Sequence, residues 1–147
     1  MRSLIGARVR FLLVGGHAVA LHGAPRATFD IDFFVDPVAV NLKRLARALL
    51  AFGFPKAAES SRYLAIPGRF LTLGVKPLRI DILNAIDGVS FGAAWRGRVK
   101  VDRGVSAIGL AALIKNKRSA GRPKDLLDVE LLRERGIIVK RAAPSRS

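Results

Sequence analysis

The chain has 147 residues, enough for one domain with a real core and too few for two. It has no cysteine and two histidines, which excludes disulfides and thiolate metal sites and argues against zinc, so any metal must be held mainly by oxygen. Half the residues are hydrophobic, as a folded protein requires, and the formal charge of +15 draws polyanions, nucleic acid foremost, unless it is only a solvated arginine-rich surface.

The start of the chain combines Arg2, Arg8 and Arg10 with the apolar run Phe11-Leu12-Leu13-Val14, in the manner of a targeting peptide. Gly15-Gly16-His17 breaks that run at once, and cleavage would remove the glycine pair, so targeting is rejected. No segment approaches the ~18–20 apolar residues of a membrane span. A cytoplasmic protein without a membrane partner is expected.

Phe11–Val14 is predicted as a short buried strand, and Gly16–Leu21 as a short helix closed by Gly23 and stopped by Pro25. Asp30–Val35 is the second strand. Aspartate is disfavoured in strands, yet two of them interrupt this buried-looking run. Strand residues two apart point to one face, so Asp30 and Asp32 project side by side and repel unless a positive charge intervenes. A hard cation such as Mg²⁺ takes oxygen ligands and bridges to substrate phosphates. Gly15-Gly16 ahead of a helix offers those phosphates close backbone approach and free N–H groups. The combination points to phosphoryl or nucleotidyl transfer.

Val38–Phe52 follows as a helix ended by Gly53, with the basic face Lys43, Arg44 and Arg47 taken as solvated surface rather than a groove. Tyr63–Ile66, Phe70–Leu73 and Leu78–Leu83 are predicted strands. In the last, Asp81 again interrupts an apolar run. Pairing this strand with Asp30–Val35 brings a third carboxylate to the first two; alternatively Asp81 neutralises Arg79 on a sheet edge. Val99–Asp102 and Val105–Ile108 are further strand candidates. Leu110–Ala120 and Lys124–Arg135 are helices joined at Gly121-Arg122-Pro123. A single domain over residues 1–138 is expected, with a basic, flexible tail over 139–147.

Gly15-Gly16 followed by Asp30-Ile31-Asp32 resembles the signature of the DNA polymerase β-like nucleotidyltransferase superfamily. The stretches Val14–Gly23 and Arg26–Asp32, then Leu113–Lys117 and Arg122–Asp128, are similar to its branch of abortive-infection-type toxin nucleotidyltransferases. The resemblance implies an α/β (α+β) architecture: a minimal nucleotidyltransferase fold whose mixed β-sheet is flanked by helices, with a C-terminal helical pair. It implies Mg²⁺-dependent transfer of a nucleoside monophosphate from an NTP to a hydroxyl of RNA, such as tRNA, or of protein. The setting would be a toxin–antitoxin system, with a cognate antitoxin protein as a further partner.

The same resemblance assigns roles. Asp30 and Asp32 would hold two Mg²⁺ ions against the triphosphate, and Asp81 would complete the metal site and accept the proton of the attacking hydroxyl. Lys117 would offset triphosphate charge, and Gly15, Gly16, Arg26, Thr28, Arg122 and Asp128 would surround the nucleotide. Either Asp125 or Asp128 would position Lys117. Arg26 alternatively pairs with Asp36 on the surface. His17 either donates to a phosphate or fills space, and His22 is taken as structural. Larger toxin-type relatives carry more helix at both ends, which leaves the acceptor open. Two other functions remain: a catalytically inactive nucleotide- or RNA-binding module of the same fold, or an antibiotic nucleotidyltransferase. The latter acts on cationic acceptors that favour acidic walls, and 11 acids in the chain offer few.

Overall fold

In the computed structural model, which describes residues 1–24, 28, 30–75 and 77–142, one six-stranded mixed sheet carries helices on both faces. Its strands are β1 (Phe11–Val14), β2 (Ile31–Val35), β3 (Phe70–Leu73), β4 (Ile80–Leu83), β5 (Val99–Lys100) and β6 (Ser106–Ala107), in the order β3-β4-β2-β1-β6-β5. The pairs β2–β4 and β1–β6 are parallel and the rest antiparallel. β2 and β1 therefore lie at the centre, and β4 is an inner strand, not an edge.

Side-chain alternation divides the core into two layers. Phe11, Phe33, Val35 and Ile82 face one side and pack with Leu4 of helix α1 (Arg2–Gly6), with Leu42, Leu45 and Leu49 of α3 (Ala39–Phe52), and with α4 (Pro55–Ser60). Leu12, Val14 and Phe34 face the other side. There they meet Val19 of α2 (Gly15–Leu21), Phe91 of α5 (Phe91–Arg96), Leu113 of α6 (Leu110–Ala120) and Leu132 of α7 (Pro123–Ala142).

Two buried asparagines fasten the loops around this sheet. Asn41 Nδ2 donates to the carbonyls of Arg10 (3.0 Å) and Asp36 (2.8 Å), and its Oδ1 accepts the Arg10 N–H at 2.7 Å. That locks the entry of β1 to the exit of β2, beside an Arg10–Asp36 ion pair of 3.1 Å. Asn84 Nδ2 donates to the carbonyls of Leu64 (2.8 Å) and Ile66 (2.6 Å), while its Oδ1 accepts the Gly68 N–H.

The second asparagine explains a departure from expectation. Tyr63–Ile66 is not a strand: Ser61–Ala65 winds into a 3-10 turn with Leu64 buried beneath it. Asn84 captures the carbonyls that strand pairing would need, so the apolar run serves one inward side chain instead of an alternating face. The basic face of α3 is surface as expected: Lys43 and Arg47 are exposed, bordering an open depression shared with Arg8 and Arg44. The last helix continues through Ala142, past the Arg135 end predicted and into the expected tail, since nothing in Ile137-Ile138-Val139-Lys140 breaks it. Helices α1, α4 and α5 were not signalled by periodicity, being only one or two turns long.

Candidate functional site

β2 carries Asp32, with Asp30 immediately ahead of it, and β4 carries the third acid. The two strands run parallel in the register Asp32↔Asp81, so these carboxylates start from neighbouring backbones roughly 4.8 Å apart and leave the same face. Strand alternation sets Asp30 and Arg79 on that face too. The Arg79 guanidinium sits among them: its Nη2 lies 3.1 Å from Asp30 Oδ2 and 3.3 Å from Asp81 Oδ2. Asp81 also accepts a hydrogen bond of 2.8 Å from the Thr72 hydroxyl, its cross-strand partner on β3.

Asp32 is the electrostatically disfavoured member. Its carboxyl is raised above the usual carboxylate range, first by burial and then by the charges of Asp81 and Asp30; Lys117 and Arg79 offset this only in part. Gly15, at φ +69°, begins α2 directly against it, and a Cβ there would collide with Asp32 Oδ2. Gly16 is packed on Thr28 in the same way, its absent Cβ standing 3.0 Å from the Thr28 Cβ and Oγ1. The Thr28 hydroxyl donates to the Asp30 carbonyl at 3.3 Å. The glycines thus let the β1–α2 turn close onto the acidic strand.

A cleft of about 500 Å³ opens over this turn. Gly15, Gly16, Thr28, Asp30 and Asp32 form one wall, and Asn116, Lys117, Arg122, Lys124 and Asp125 form the other. The loop after β4, Ala85-Ile86-Asp87, closes one end, pinned where Asn116 Nδ2 donates to the Asp87 carbonyl at 3.0 Å.

The far wall is built around a buried cation. Lys117 Nζ lies 3.2 Å from Asp125 Oδ1 and 3.2 Å from Asp128 Oδ2, and all three side chains are less than 10 % exposed. Gly121, at φ +68°, ends α6, and Pro123 starts α7, which folds the helix pair back on itself. Asp125, the third residue of α7, reaches back to accept from the Arg122 N–H (3.3 Å) and from its Nε at 2.7 Å. Burial pushes Asp125 up, but the Arg122 and Lys117 hydrogen bonds and charges outweigh it, holding the carboxyl below its usual range. The Asp125 hydrogen bond in turn holds Arg122 more firmly protonated.

Of the residues singled out in the sequence, Gly15, Gly16, Thr28, Asp30, Asp32, Lys117 and Arg122 line the cleft. Asp81 and Asp128 stand behind it, Asp81 beside Arg79 and Asp128 beneath Lys117. Arg26 lies outside the described residues. Its alternative partner Asp36 is paired with Arg10. His22 donates through Nε2 to the Ile108 carbonyl at 2.8 Å, tying α2 to the β6 exit, whereas the Nε2 of His17 is buried and makes no hydrogen bond among the described residues.

Sequence reasoning named the Arg79–Asp81 pair as its alternative for Asp81, but set it on a sheet edge and missed the second arm of Arg79 to Asp30. The signal was present, since Arg79 and Asp81 are two apart on one strand and share a face with Asp30. It also missed the Asp87 loop, whose seating depends on Gly88, at φ +74°, pressed against the Ser119 side chain.

No family model matches this chain, and no curated protein matches it. Among the described residues no helix is long and apolar enough to cross a membrane. Nor do three or more histidine, cysteine, aspartate or glutamate side chains converge there as a ready-made metal cluster.

Proposed function

We propose that the protein is a nucleotidyltransferase that moves a nucleoside monophosphate from an NTP to a hydroxyl acceptor, using the cleft between β2 and the α6–α7 pair. One observation carries this reading: Asp30 and Asp32 face Lys117, Arg122 and Lys124 across an opening of about 500 Å³, with Gly15 bare against the acidic side. Acids that can hold a cation on one wall and basic groups on the other are the two needs of a triphosphate.

The donor set suits a hard divalent cation such as Mg²⁺, because Asp30 and Asp32 both line the cleft and the charges of Lys117 and Arg79 compensate Asp32 only in part. Such a cation would supply charge neutralisation at the attacking and leaving oxygens. Asp81 joins that set only if Arg79 leaves it.

The chain's own residues have separable tasks. Gly15 and Gly16 admit phosphate oxygens close to the backbone. Arg122 and Lys124 neutralise the leaving pyrophosphate, while Lys117 contributes a fixed charge at the base of that wall. As the acceptor oxygen bonds to the α-phosphorus, the bond to pyrophosphate breaks, and a carboxylate of the acidic set takes the hydroxyl proton. The charge of +15 favours an RNA acceptor, tRNA included, over protein. A cytoplasmic toxin–antitoxin role with a cognate antitoxin fits the sequence resemblance. A second reading, a binding module of the same fold, is favoured by the Arg79 guanidinium occupying the space between Asp30 and Asp81.

Label transfer separates the two. Each of the four α-labelled NTPs is offered with Mg²⁺, total RNA and protein lysate. Label on a discrete band, lost at least about 10³-fold in an Asp30→Ala/Asp32→Ala variant, is the expected result. Nucleotide binding without transfer would leave the binding module.

A further inference from the structure

An arginine held permanently as structure normally uses all of its donors. Arg79 does not. Its Nη2 serves two carboxylates, at 3.1 and 3.3 Å, while its Nε is buried and makes no hydrogen bond among the described residues. A buried donor left unmade weakens the arrangement. The side chain is still 34 % exposed, so a route to solvent exists. Its backbone is anchored, because the Arg79 carbonyl accepts the Ile31 N–H at 2.9 Å and aligns β4 with β2. The guanidinium can therefore leave while the strand register stays.

We propose that Arg79 is the resident counter-ion of the acidic site, exchanged for a divalent cation only when an anionic ligand enters the cleft to receive the guanidinium. The inference rests on the nucleotidyl-transfer reading and adds an order of binding to it. A cation arriving alone must displace a charge already paired with Asp30 and Asp81, leaving that charge without a partner. A cation arriving with a triphosphate brings the new partner with it, since guanidinium and phosphate match in geometry and charge. Metal and nucleotide then bind cooperatively, and each strengthens the other by the same factor. The device would keep the Asp30 and Asp81 carboxylates from collecting cations or repelling one another between turnovers.

Mn²⁺ serves as the probe, followed by electron paramagnetic resonance and calorimetry, with and without an α,β-methylene NTP analogue. Wild type is expected to bind Mn²⁺ weakly alone and roughly tenfold or more tightly with the analogue. Arg79→Gln, which keeps a polar stem without charge, should bind Mn²⁺ alone about tenfold better than wild type and lose most of the analogue's effect. Arg79→Lys, a single-point cation, should fall between them and guards against misfolding of the neutral variant. Equal Mn²⁺ affinity in wild type and both variants would overturn the counter-ion role and leave the cation site standing. No Mn²⁺ binding to any of them, even with the analogue, would overturn both this inference and the nucleotidyl-transfer reading.

Discussion

The two walls of the cleft are both built from lysine or arginine set among aspartates, and they differ in how well those charges are satisfied. On the α6–α7 wall, Lys117 and Arg122 face Asp125 and Asp128, and the buried carboxylate of Asp125 takes bonds from both cations. On the β2–β4 wall, Arg79 divides one guanidinium between Asp30 and Asp81, and Asp32 stands beside them under net repulsion. The satisfied cluster behaves as scaffold. The less satisfied one is the wall on which an incoming cation would change most, while the other holds its cations in place for an anionic ligand.

Removing a carboxylate from each wall should therefore have opposite consequences, and the larger effect belongs to the scaffold. Asp125→Ala takes from the buried Lys117 one of its two counter-charges, and from the largely exposed Arg122 its carboxylate partner, so a loss of about 3 kcal/mol is expected by denaturant unfolding. Asp125 also carries a pH signature. Its folded-state pKa is lowered, so its stabilising contribution is present above the ordinary carboxylate range and is lost as pH falls through the folded value. A loss under 1 kcal/mol would mean that the cluster is solvated and that the contrast between the walls is false.

Gly15→Ala tests how tightly the acidic wall is closed. The substitution demands a positive φ of a residue with a Cβ and drives that Cβ onto Asp32 Oδ2. A destabilisation of about 1–3 kcal/mol is expected. The same variant should lose label transfer, because the β1–α2 turn can relax only by moving away from the carboxylates. Unchanged stability together with unchanged transfer would show that the glycine–aspartate contact does not shape the site.

Much of this contrast was legible in the amino-acid order, and the parts that were not share a cause. Phe11–Val14, Phe70–Leu73 and Leu110–Ala120 matched the expected bounds because apolar spacing and flanking breakers agreed there. Asp30, Asp32 and Asp81 announced themselves by standing where strands exclude them. The 3-10 turn at Ser61–Ala65 could not be foreseen, because it depends on Asn84, whose amide captures carbonyls 18 and 20 residues away. The saturation of Lys117 was half visible: Asp125 and Asp128 share a helix face, but only the Gly121–Pro123 reversal shows that both meet one ammonium. Local pattern carries elements and chemically odd residues. Long-range hydrogen bonds decide which of those residues are satisfied.

The smallest predicted effect is the one that reverses the ordinary sign. Asp32→Asn removes a charge from a site where burial and two neighbouring carboxylates disfavour it. A carboxyl whose folded-state pKa is raised contributes stability that is fully present below its unfolded value and lost as pH rises through the raised one. At neutral pH the wild type has lost that contribution, whereas asparagine stays uncharged throughout. The metal-free variant should therefore melt about 2–4 °C above wild type at pH 7, the shift that roughly 1 kcal/mol produces in a domain of this size. The advantage should shrink as pH falls towards the ordinary aspartate range, where Asp32 protonates in both states. Melting curves of the two proteins across that range, with chelator and then with Mg²⁺ and a nucleotide analogue, measure it directly. Saturating ligand should reverse the order, since only the carboxylate can engage a cation. A variant less stable than wild type at pH 7 in chelator would show that Asp32 is already satisfied, and the acidic wall would then be a second scaffold.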